Sequence, residues 1–169
     1  MNTIEAIYTR RSIRKYTGQE IEKGKIEEIL KAGMYAPSAV NKRPWHFLVI
    51  TDKGVRAEIS EKHSNAHMLK NAQAGILVCL ETALQHDDGY GIQDCSAAVQ
   101  NMLLAAHDMG LGTVWCGVFP RMNRVADMKE MFDLPAGIEP FGLICLGYPA
   151  EEKEQPERFQ PERVHWGRW

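Results

Sequence analysis

Four short apolar runs constrain the fold of this chain more than any other feature of its sequence. They occupy residues 46–51, 75–81, 112–118 and 141–147, and each is a continuous series of mainly apolar or β-branched residues. Such runs are typical of strands that are covered on both faces. The chain is therefore predicted to form a central sheet with helices packed on either side. Because helical segments separate the strands along the chain, this alternation by itself favours a parallel sheet.

Three helices are predicted together with some of their ends. Asn2 and Glu5 have the spacing of an N-cap and its capping partner for a short first helix. A second helix is expected from Lys25 to Met34, and a third from Asp94 to Met109 with Gly110 as its C-cap. Since the third helix is apolar along two adjacent stripes, it is expected to lie at the centre of the molecule.

The length and charge of the chain indicate a globular protein with one domain. Its 169 residues are divided into a core of residues 1–147 and an extension of residues 148–169. With 20 Lys and Arg against 22 Asp and Glu, the net charge of −2 gives no general attraction to nucleic acid or to an anionic membrane. No apolar run reaches the roughly 20 residues of a membrane span, and the N-terminus lacks a secretory signal. A cytoplasmic location is expected.

The cysteines and histidines do not have the spacing of a strong metal motif. The cysteines are Cys79, Cys95, Cys116 and Cys145, and none of them forms a Cys-x-x-Cys pair. No sequence feature marks a base for Cys116, so a buried strand thiol is expected rather than a nucleophile. His63 and His67 are four residues apart but have no neighbouring carboxylate ligand, and they are expected on a solvated helix face. No metal site is predicted.

The first candidate for ligand binding is the densest cationic cluster of the chain, formed by Arg10, Arg11, Ser12 and Arg14. Guanidinium groups around a hydroxyl group suit a phosphate dianion. The alternative is a solvated run of charge, because the C-terminal end of a helix favours cations in any case.

The second candidate is the loop APSAVNKRPW at residues 36–45. Pro37 and Pro44 stiffen it, while Ser38 and Asn41 offer donors and acceptors suited to the polar edge of a planar heterocycle. A plain turn between a helix and a strand is the alternative. The sequence has no phosphate loop, no nucleophile elbow and no Rossmann glycine pattern. The two candidate segments together therefore point to a bound cofactor that carries the chemistry.

The C-terminal extension is rich in proline and charge but ends in VHWGRW. A disordered tail is usually poor in aromatic residues, so Trp166 and Trp169 are expected to anchor this segment by burying their rings. The surface that covers them is either the same domain or a second subunit, and the reach of the extension favours the second subunit.

Five segments together resemble the FMN-dependent nitroreductase family. They are RRSIRKY at residues 10–16, APSAVNKRPWHF at 36–47, GLGTVWCGVF at 110–119, GLICLGYP at 142–149 and ERVHWGRW at 162–169. The resemblance covers essentially the whole chain and indicates a compact, single-domain member. It implies an α+β fold with a central, mostly antiparallel sheet flanked by helices. It also implies a homodimer in which the C-terminal extension crosses to the partner subunit.

The resemblance further implies a set of FMN-binding residues, which are Arg10, Arg11, Ser12, Arg14, Pro37, Ser38, Asn41, Cys116, Gly117 and Arg158. The cationic cluster would hold the phosphate, the ribityl chain and the N1/O2 edge of FMN, and the loop at 36–45 would approach from the other subunit. The backbone of Cys116 and Gly117 would lie near flavin N5, with Cys116 contacting through its amide. Two basic positions of the family are changed, because Pro156 precedes Arg158 in the phosphate-binding pair and Asn65 is the candidate at a position before the second strand.

The function implied by the resemblance is a ping-pong oxidoreductase. NADH or NADPH would deliver hydride to flavin N5 and leave, and an electron-poor acceptor such as a nitroaromatic or a quinone would then be reduced. No protein residue is expected to be catalytic, although Arg14 is expected to raise the potential of the flavin. Substrate walls are expected near residues 86–93 and Phe119. The alternatives are a flavin-dependent dehalogenase, ene-reductase or dehydrogenase, a flavin-binding protein without turnover, and a non-flavin interaction domain.

Overall fold

A computed structural model of the chain describes residues 1–87 and 89–169. The helices are α1 (Thr3–Thr9), α2 (Lys23–Met34), α3 (Lys53–Lys62), α4 (Tyr90–Asp108) and α5 (Met122–Met131). The strands are β1 (Trp45–Ile50), β2 (Ala74–Glu81), β3 (Gly112–Gly117) and β4 (Ile138–Gly147). Short 3₁₀ helices lie at Ala39–Asn41, Ser64–Asn71 and Pro161–Arg163. All four predicted strands and all three predicted helices are present, with ends that differ by a few residues.

The sheet has the strand order β1-β2-β4-β3, and every neighbouring pair is antiparallel. The parallel sheet favoured by the strand and helix alternation is therefore wrong, and the antiparallel sheet implied by the family resemblance is confirmed. The connection between β1 and β2 shows why. α3 carries the chain away from Ile50, and the 3₁₀ helix Ser64–Asn71 returns it to Gly75, which pairs with Ile50 at the same end of the sheet. A single crossover helix, which a parallel pair needs, is absent from this connection.

The sheet separates two apolar layers. Successive side chains of β4 point to opposite faces, so that Ile144 packs toward α2 and α4 while Leu143 packs toward α3 and α5. α4 lies at the centre of the first layer, as its two apolar stripes predict, with Met102 and Val99 fully buried. This three-layer arrangement places both edge strands, β1 and β3, at the margin of the molecule.

The two predicted capping positions, at Asn2 and Gly110, are confirmed. Asn2 Oδ1 accepts a hydrogen bond from the Glu5 amide at 2.9 Å, and Glu5 Oε2 accepts one from the Asn2 amide at 3.4 Å. Gly110 follows α4 with a φ of +77°, a conformation that glycine adopts without the steric cost borne by other residues. α1 therefore ends immediately before the cationic cluster, and three residues separate the end of α4 from β3.

The C-terminal extension contacts the core along its first residues, as far as Glu154. Pro149 forms an isolated bridge with Tyr16, and the Ala150 amide donates to the carbonyl of Lys15 at 2.9 Å. From residue 152 onward the side chains are exposed, and Trp166 and Trp169 are 91% and 101% exposed. Within one chain, the tail does not bury the rings that were expected to anchor it. In the described part of the chain, no helix combines the length and apolarity that crossing a membrane requires.

Candidate functional site

The cationic cluster lies between the end of α1 and the exposed edge of β3. Ser12 forms a parallel bridge with Thr113, and the Ile13 amide donates to the Thr113 carbonyl at 2.9 Å. Gly112 permits this approach, because a Cβ at that position would lie only 2.8 Å from the Ile13 side chain. The segment is therefore held against the sheet by backbone pairing and by a close contact that only glycine allows.

One open groove brings together five of the predicted FMN-binding residues. Its lining comprises Arg10, Arg11, Ser12, Arg14, Glu152, Lys153, Glu154, Pro156 and Arg158, and its volume is about 610 Å³. The C-terminal extension thus returns to the cationic cluster of its own chain, which the sequence spacing did not reveal. Sequence reasoning missed Lys153, whose ammonium group bonds Glu151 at 2.8 Å. The only signal for it was a basic residue inside an acidic run of the tail.

Arg11 differs from its neighbours because its guanidinium binds backbone carbonyls. Nη1 donates to the carbonyls of Tyr8 and Arg10, both at 2.8 Å, and Nε donates to the carbonyl of Glu154 at 2.9 Å. The side chain therefore joins the end of α1 to the C-terminal extension. Its position beside the groove agrees with the predicted place of Arg11, but most of its donors are already used.

Arg10 stands in an environment that lacks a negative partner. Burial lowers its pKa, and the neighbouring charges of Arg11 and Arg158 lower it further. Among the described residues, no ion pair with Asp or Glu involves Arg10, Arg14 or Arg158. Cations that repel one another in this way are stabilised by a bound anion, and arginine forks pair well with phosphate oxygens. The groove therefore fits the phosphate of FMN.

Glu151 organises the backbone beside the groove. Its Oε1 accepts hydrogen bonds from the amides of Arg14 at 2.6 Å and Lys15 at 3.2 Å. The bond from Lys153 and the bond from the Arg14 amide lower the pKa of this carboxyl group. Glu151 is thus a second residue that the sequence reading missed, and it holds the segment on which Arg14 is carried.

The loop at 36–45 is ordered by bonds within the same chain. The Ser38 hydroxyl accepts from the amide of Arg43 at 2.9 Å, and Asp94 Oδ1 accepts from the amide of Ala39 at 2.9 Å. Asn41 has a φ of +57°, a strained conformation that Asn tolerates better than most residues. The loop is therefore a built structure and not a plain flexible turn.

Pro37, Ser38 and Asn41 do not line the cationic groove of their own chain, as far as the described residues show. Pro37 and Asn41 are exposed, and Ser38 is half-buried. This arrangement is compatible with the prediction that the loop meets a flavin held by another subunit, which stays a prediction. Asp94 was missed as a site-supporting residue. It is 5% exposed, and its Oδ2 has no hydrogen-bond partner among the described residues.

Cys116 lies at the end of β3 with its thiol turned into the core. It is 4% exposed, and its Sγ donates to the carbonyl of Asn65 at 3.1 Å. Its Sγ also lies 3.9 Å from that of Cys145, a contact that lowers the Cys116 pKa, and the charges of Arg14 and Arg124 lower it as well. The expectation of a buried strand thiol is confirmed. Asn65 and Arg124 lie at this end of β3, since the Asn65 carbonyl contacts the Cys116 thiol and Arg124 donates to the Gly117 carbonyl.

Backbone alternation distinguishes Cys116 from Gly117. The Thr113 carbonyl points away from β4, toward Ile13. Since backbone groups alternate along an antiparallel strand, the amide of Gly117 also points to the open edge and that of Cys116 points to β4. That Cys116 contacts a ligand through its amide stays a prediction. Gly117 is the residue of the pair with an outward N–H group.

The structure places His63 close to Gly117, which differs from the solvated helix face expected from the sequence. The residue is 1% exposed and not on a solvated helix face, although His67 is exposed. Both residues follow α3 and do not share one helix. His63 Nε2 lies 3.1 Å from the carbonyl oxygen of Gly117, so its polar atom is directed at the backbone of β3.

An apolar cavity of about 290 Å³ opens beyond the end of β3. Its apolar lining residues include Leu80, Ile92, Phe119, Met122 and Phe141. The predicted substrate walls at residues 86–93 and Phe119 are partly brought together here, by Gly89, Ile92 and Phe119. Residue 88 of that range lies outside the described residues. The cavity suits a planar apolar molecule, because few polar groups face it.

The chain is similar to known proteins in both sequence and fold. The sequence pattern of the Nitroreductase family matches residues 7–88 and 60–148. A protein of Methanothermobacter thermautotrophicus, provisionally named NADH dehydrogenase/NAD(P)H nitroreductase, is 46% identical over 169 residues, which are 100% of this chain and 88% of that protein.

Two solved structures have the same fold over nearly their whole length. A Parabacteroides distasonis protein with the same provisional name has a TM-score of 0.94 and 38% identity, with 100% of both chains covered. A Desulfovibrio desulfuricans protein, provisionally named a nitroreductase and solved in complex with FMN, has a TM-score of 0.87 and 34% identity, with 97% of this chain and 96% of that chain covered.

Proposed function

This chain belongs to the nitroreductase family and is an FMN-dependent NAD(P)H oxidoreductase, and from that premise we propose that it reduces electron-poor acceptors such as nitroaromatics and quinones. The single observation that carries the proposal is the cationic groove. Arg10, Arg14 and Arg158 converge there without a carboxylate partner among the described residues. A dianionic phosphate would supply the negative charge that these three guanidinium groups lack.

In this proposal, different residues of the groove bind different groups of FMN. Arg10 and Arg158 bind the phosphate, and Ser12 adds a hydroxyl donor. Lys153 lines the same groove as Pro156 and offers a basic group near it, although its ammonium group is also paired with Glu151. Arg11 fixes the two chain segments that carry these groups.

FMN, when bound, supplies the hydride chemistry that the side chains of this protein lack. Arg14 adjusts that chemistry from the protein side, because a nearby cation favours the more negatively charged, reduced state of a ring. The outward amide of Gly117 offers a hydrogen bond to the polar edge of the ring. No side chain needs to act as nucleophile, and the buried thiol of Cys116 takes no part.

The functional unit in this proposal is a homodimer. Trp166 and Trp169 are almost fully exposed in one chain, and large exposed aromatic rings mark interaction surfaces. The same second subunit brings Pro37, Ser38 and Asn41 to the flavin. The core of residues 1–147 and the extension of residues 148–169 then act together, and a cytoplasmic location stays a prediction from the sequence.

The acceptor is proposed to occupy the apolar cavity beside Phe119. Gly117 and Phe119 are separated by one residue, so the cavity adjoins the end of β3 that offers the amide. Met122 and Phe141 provide further apolar surface. Neutral, planar acceptors are therefore favoured over small charged ones.

The test is the visible absorption of the purified protein, followed by anaerobic addition of NADH or NADPH. We expect a yellow protein whose flavin absorption is bleached by one of the two donors and returns when a quinone or nitroaromatic is added. A colourless protein with no affinity for added FMN would refute the proposal. A yellow protein that neither donor bleaches would indicate a flavin-binding protein without turnover.

A further inference from the structure

The carbonyl of Gly117 accepts hydrogen bonds from two side chains that come from different elements. His63 follows the end of α3, and its Nε2 lies 3.1 Å from this oxygen. Arg124 lies on α5, and its Nη1 donates to the same oxygen at 2.9 Å. Two side-chain donors on one carbonyl oxygen restrain the peptide group that joins Gly117 to Val118 at the end of β3.

Burial of the His63 side chain has a free-energy cost. It is 1% exposed, and its Nδ1 has no hydrogen-bond partner among the described residues. Nε2 must carry the proton in order to donate to a carbonyl, so Nδ1 is an unprotonated, buried acceptor. An apolar side chain would fill the same space without leaving a polar atom unpaired. The bond to Gly117 is therefore the feature that a histidine provides here.

The backbone of Gly117 has little other restraint from neighbouring side chains. Gly117 is the last residue of an edge strand, and a Cβ at this position would find only the Phe119 carbonyl oxygen, 3.8 Å away. Its carbonyl group accepts the bonds from His63 and Arg124, and its N–H group, on the same side of the strand, also points away from β4. Glycine also has the greatest conformational freedom of any residue. The bonds to its carbonyl act together with the pairing of Gly117 to Gly142 to limit rotation about the Gly117 Cα, which would otherwise redirect the N–H group.

We propose that His63 and Arg124 are positioning residues that hold Gly117 so that its amide meets the polar edge of the flavin ring. This inference rests on the proposed function. Neither side chain touches the phosphate groove, which is lined by other residues. The bonds therefore act on binding of the ring and not on binding of the phosphate.

The experiment compares riboflavin, which has no phosphate, with FMN. Flavin is removed from the full-length protein, and each ligand is titrated into it while flavin fluorescence is followed. In His63→Leu and in Arg124→Met we expect both dissociation constants to rise by the same factor, about threefold to tenfold, because one hydrogen bond to a ring-contacting residue is lost. His63→Gln should restore affinity, since the glutamine amide can donate in place of Nε2.

Two control variants identify the part of the flavin that is affected. Arg10→Ala should weaken FMN while leaving riboflavin unchanged. His46→Gln, at an exposed histidine on the opposite edge strand β1, should alter neither. Circular dichroism of each apo-protein checks that it is folded, and if His63→Leu does not fold, Arg124→Met and His63→Gln decide the result.

The proposal is overturned if folded Arg124→Met and His63→Leu bind riboflavin as tightly as the unmodified protein does. It is also overturned if they weaken FMN but not riboflavin, because the bonds would then serve the phosphate. If the unmodified protein binds neither flavin, the proposed function itself is wrong, and this result is distinct from the other two.

Discussion

His63 and His107 are the two histidines whose pKa values are lowered by the fold. For His63 the main cause is burial, followed by the charge of Arg124. For His107 it is again burial, followed by the charge of Arg10, and its Nε2 lies 2.8 Å from Thr9 Oγ1. Both side chains are thus more easily protonated in the unfolded chain than in the folded protein.

This difference predicts how the stability of the apo-protein depends on pH. Because the pKa values of the folded state lie below the usual value near 6.5, the unfolded state takes up protons first as the pH falls. The free energy of unfolding should be fully present above about pH 6.5. It should then decrease over the interval below about pH 6.5, by at most about 1.4 kcal/mol per pH unit for each histidine.

Urea denaturation at a series of pH values measures the effect. His63→Gln should show a shallower decrease than the unmodified protein, with the remaining part due to His107. A free energy of unfolding that stays constant over this interval in the unmodified protein would be incompatible with the prediction.

At the scale of elements, the loop before β1 depends on α4. Asp94 lies in α4, and its Oδ1 accepts the amide of Ala39 at 2.9 Å. Val40, Asn41 and Arg43 in this loop all have positive φ values, and such conformations persist only where surrounding contacts hold them. A central helix therefore determines the shape of the loop that carries Ser38 and Asn41.

Asp94→Ala should lower the free energy of unfolding by about 1–3 kcal/mol, because the Ala39 amide loses its acceptor. It should also weaken FMN binding, since the loop is no longer held in its binding conformation. Asp94→Asn retains the acceptor oxygen and removes a buried charge, so it should be closer to the unmodified protein in both measurements. Urea denaturation and FMN titration check these results, and equal behaviour of the two variants would contradict the role of the acceptor.

At the scale of the whole molecule, the described part of one chain has two candidate binding surfaces that do not meet. The cationic groove is formed by the start of the chain and the C-terminal extension, whereas the loop with Ser38 and Asn41 is attached to α4. A second copy of the chain, in contact through the exposed tail, is the proposed means of bringing the two surfaces together.

A mixed dimer tests this arrangement. Arg10→Ala alone and Asn41→Ala alone should each weaken both FMN sites of a homodimer, Arg10→Ala by about 1–3 kcal/mol. A heterodimer of the two variants, purified with two different affinity tags, should contain one intact site and one site with both defects. FMN titration should then find one tight site per dimer. If both residues served a site within one chain, no site of normal affinity would form.

The sequence by itself determined the elements of this protein and much of its candidate site. Apolar runs fix where strands can form, and capping residues such as Asn2 and Gly110 fix where helices begin and end, because both effects act over a few neighbouring residues. The cluster of Arg10, Arg11, Ser12 and Arg14 was also visible, since residues adjacent in sequence remain adjacent in space.

The alternation of strands and helices did not predict the direction of the strands, which the family resemblance implied and the tertiary structure decided, together with the surroundings of the site. Strand direction depends on the path of each connection, and the 3₁₀ helix Ser64–Asn71 reverses the path that α3 begins. Lys153 joins the cationic groove, and His63 and Arg124 meet at Gly117, through contacts between distant parts of the chain. Periodicity along the sequence contains no information about such contacts, because they arise only when the layers pack.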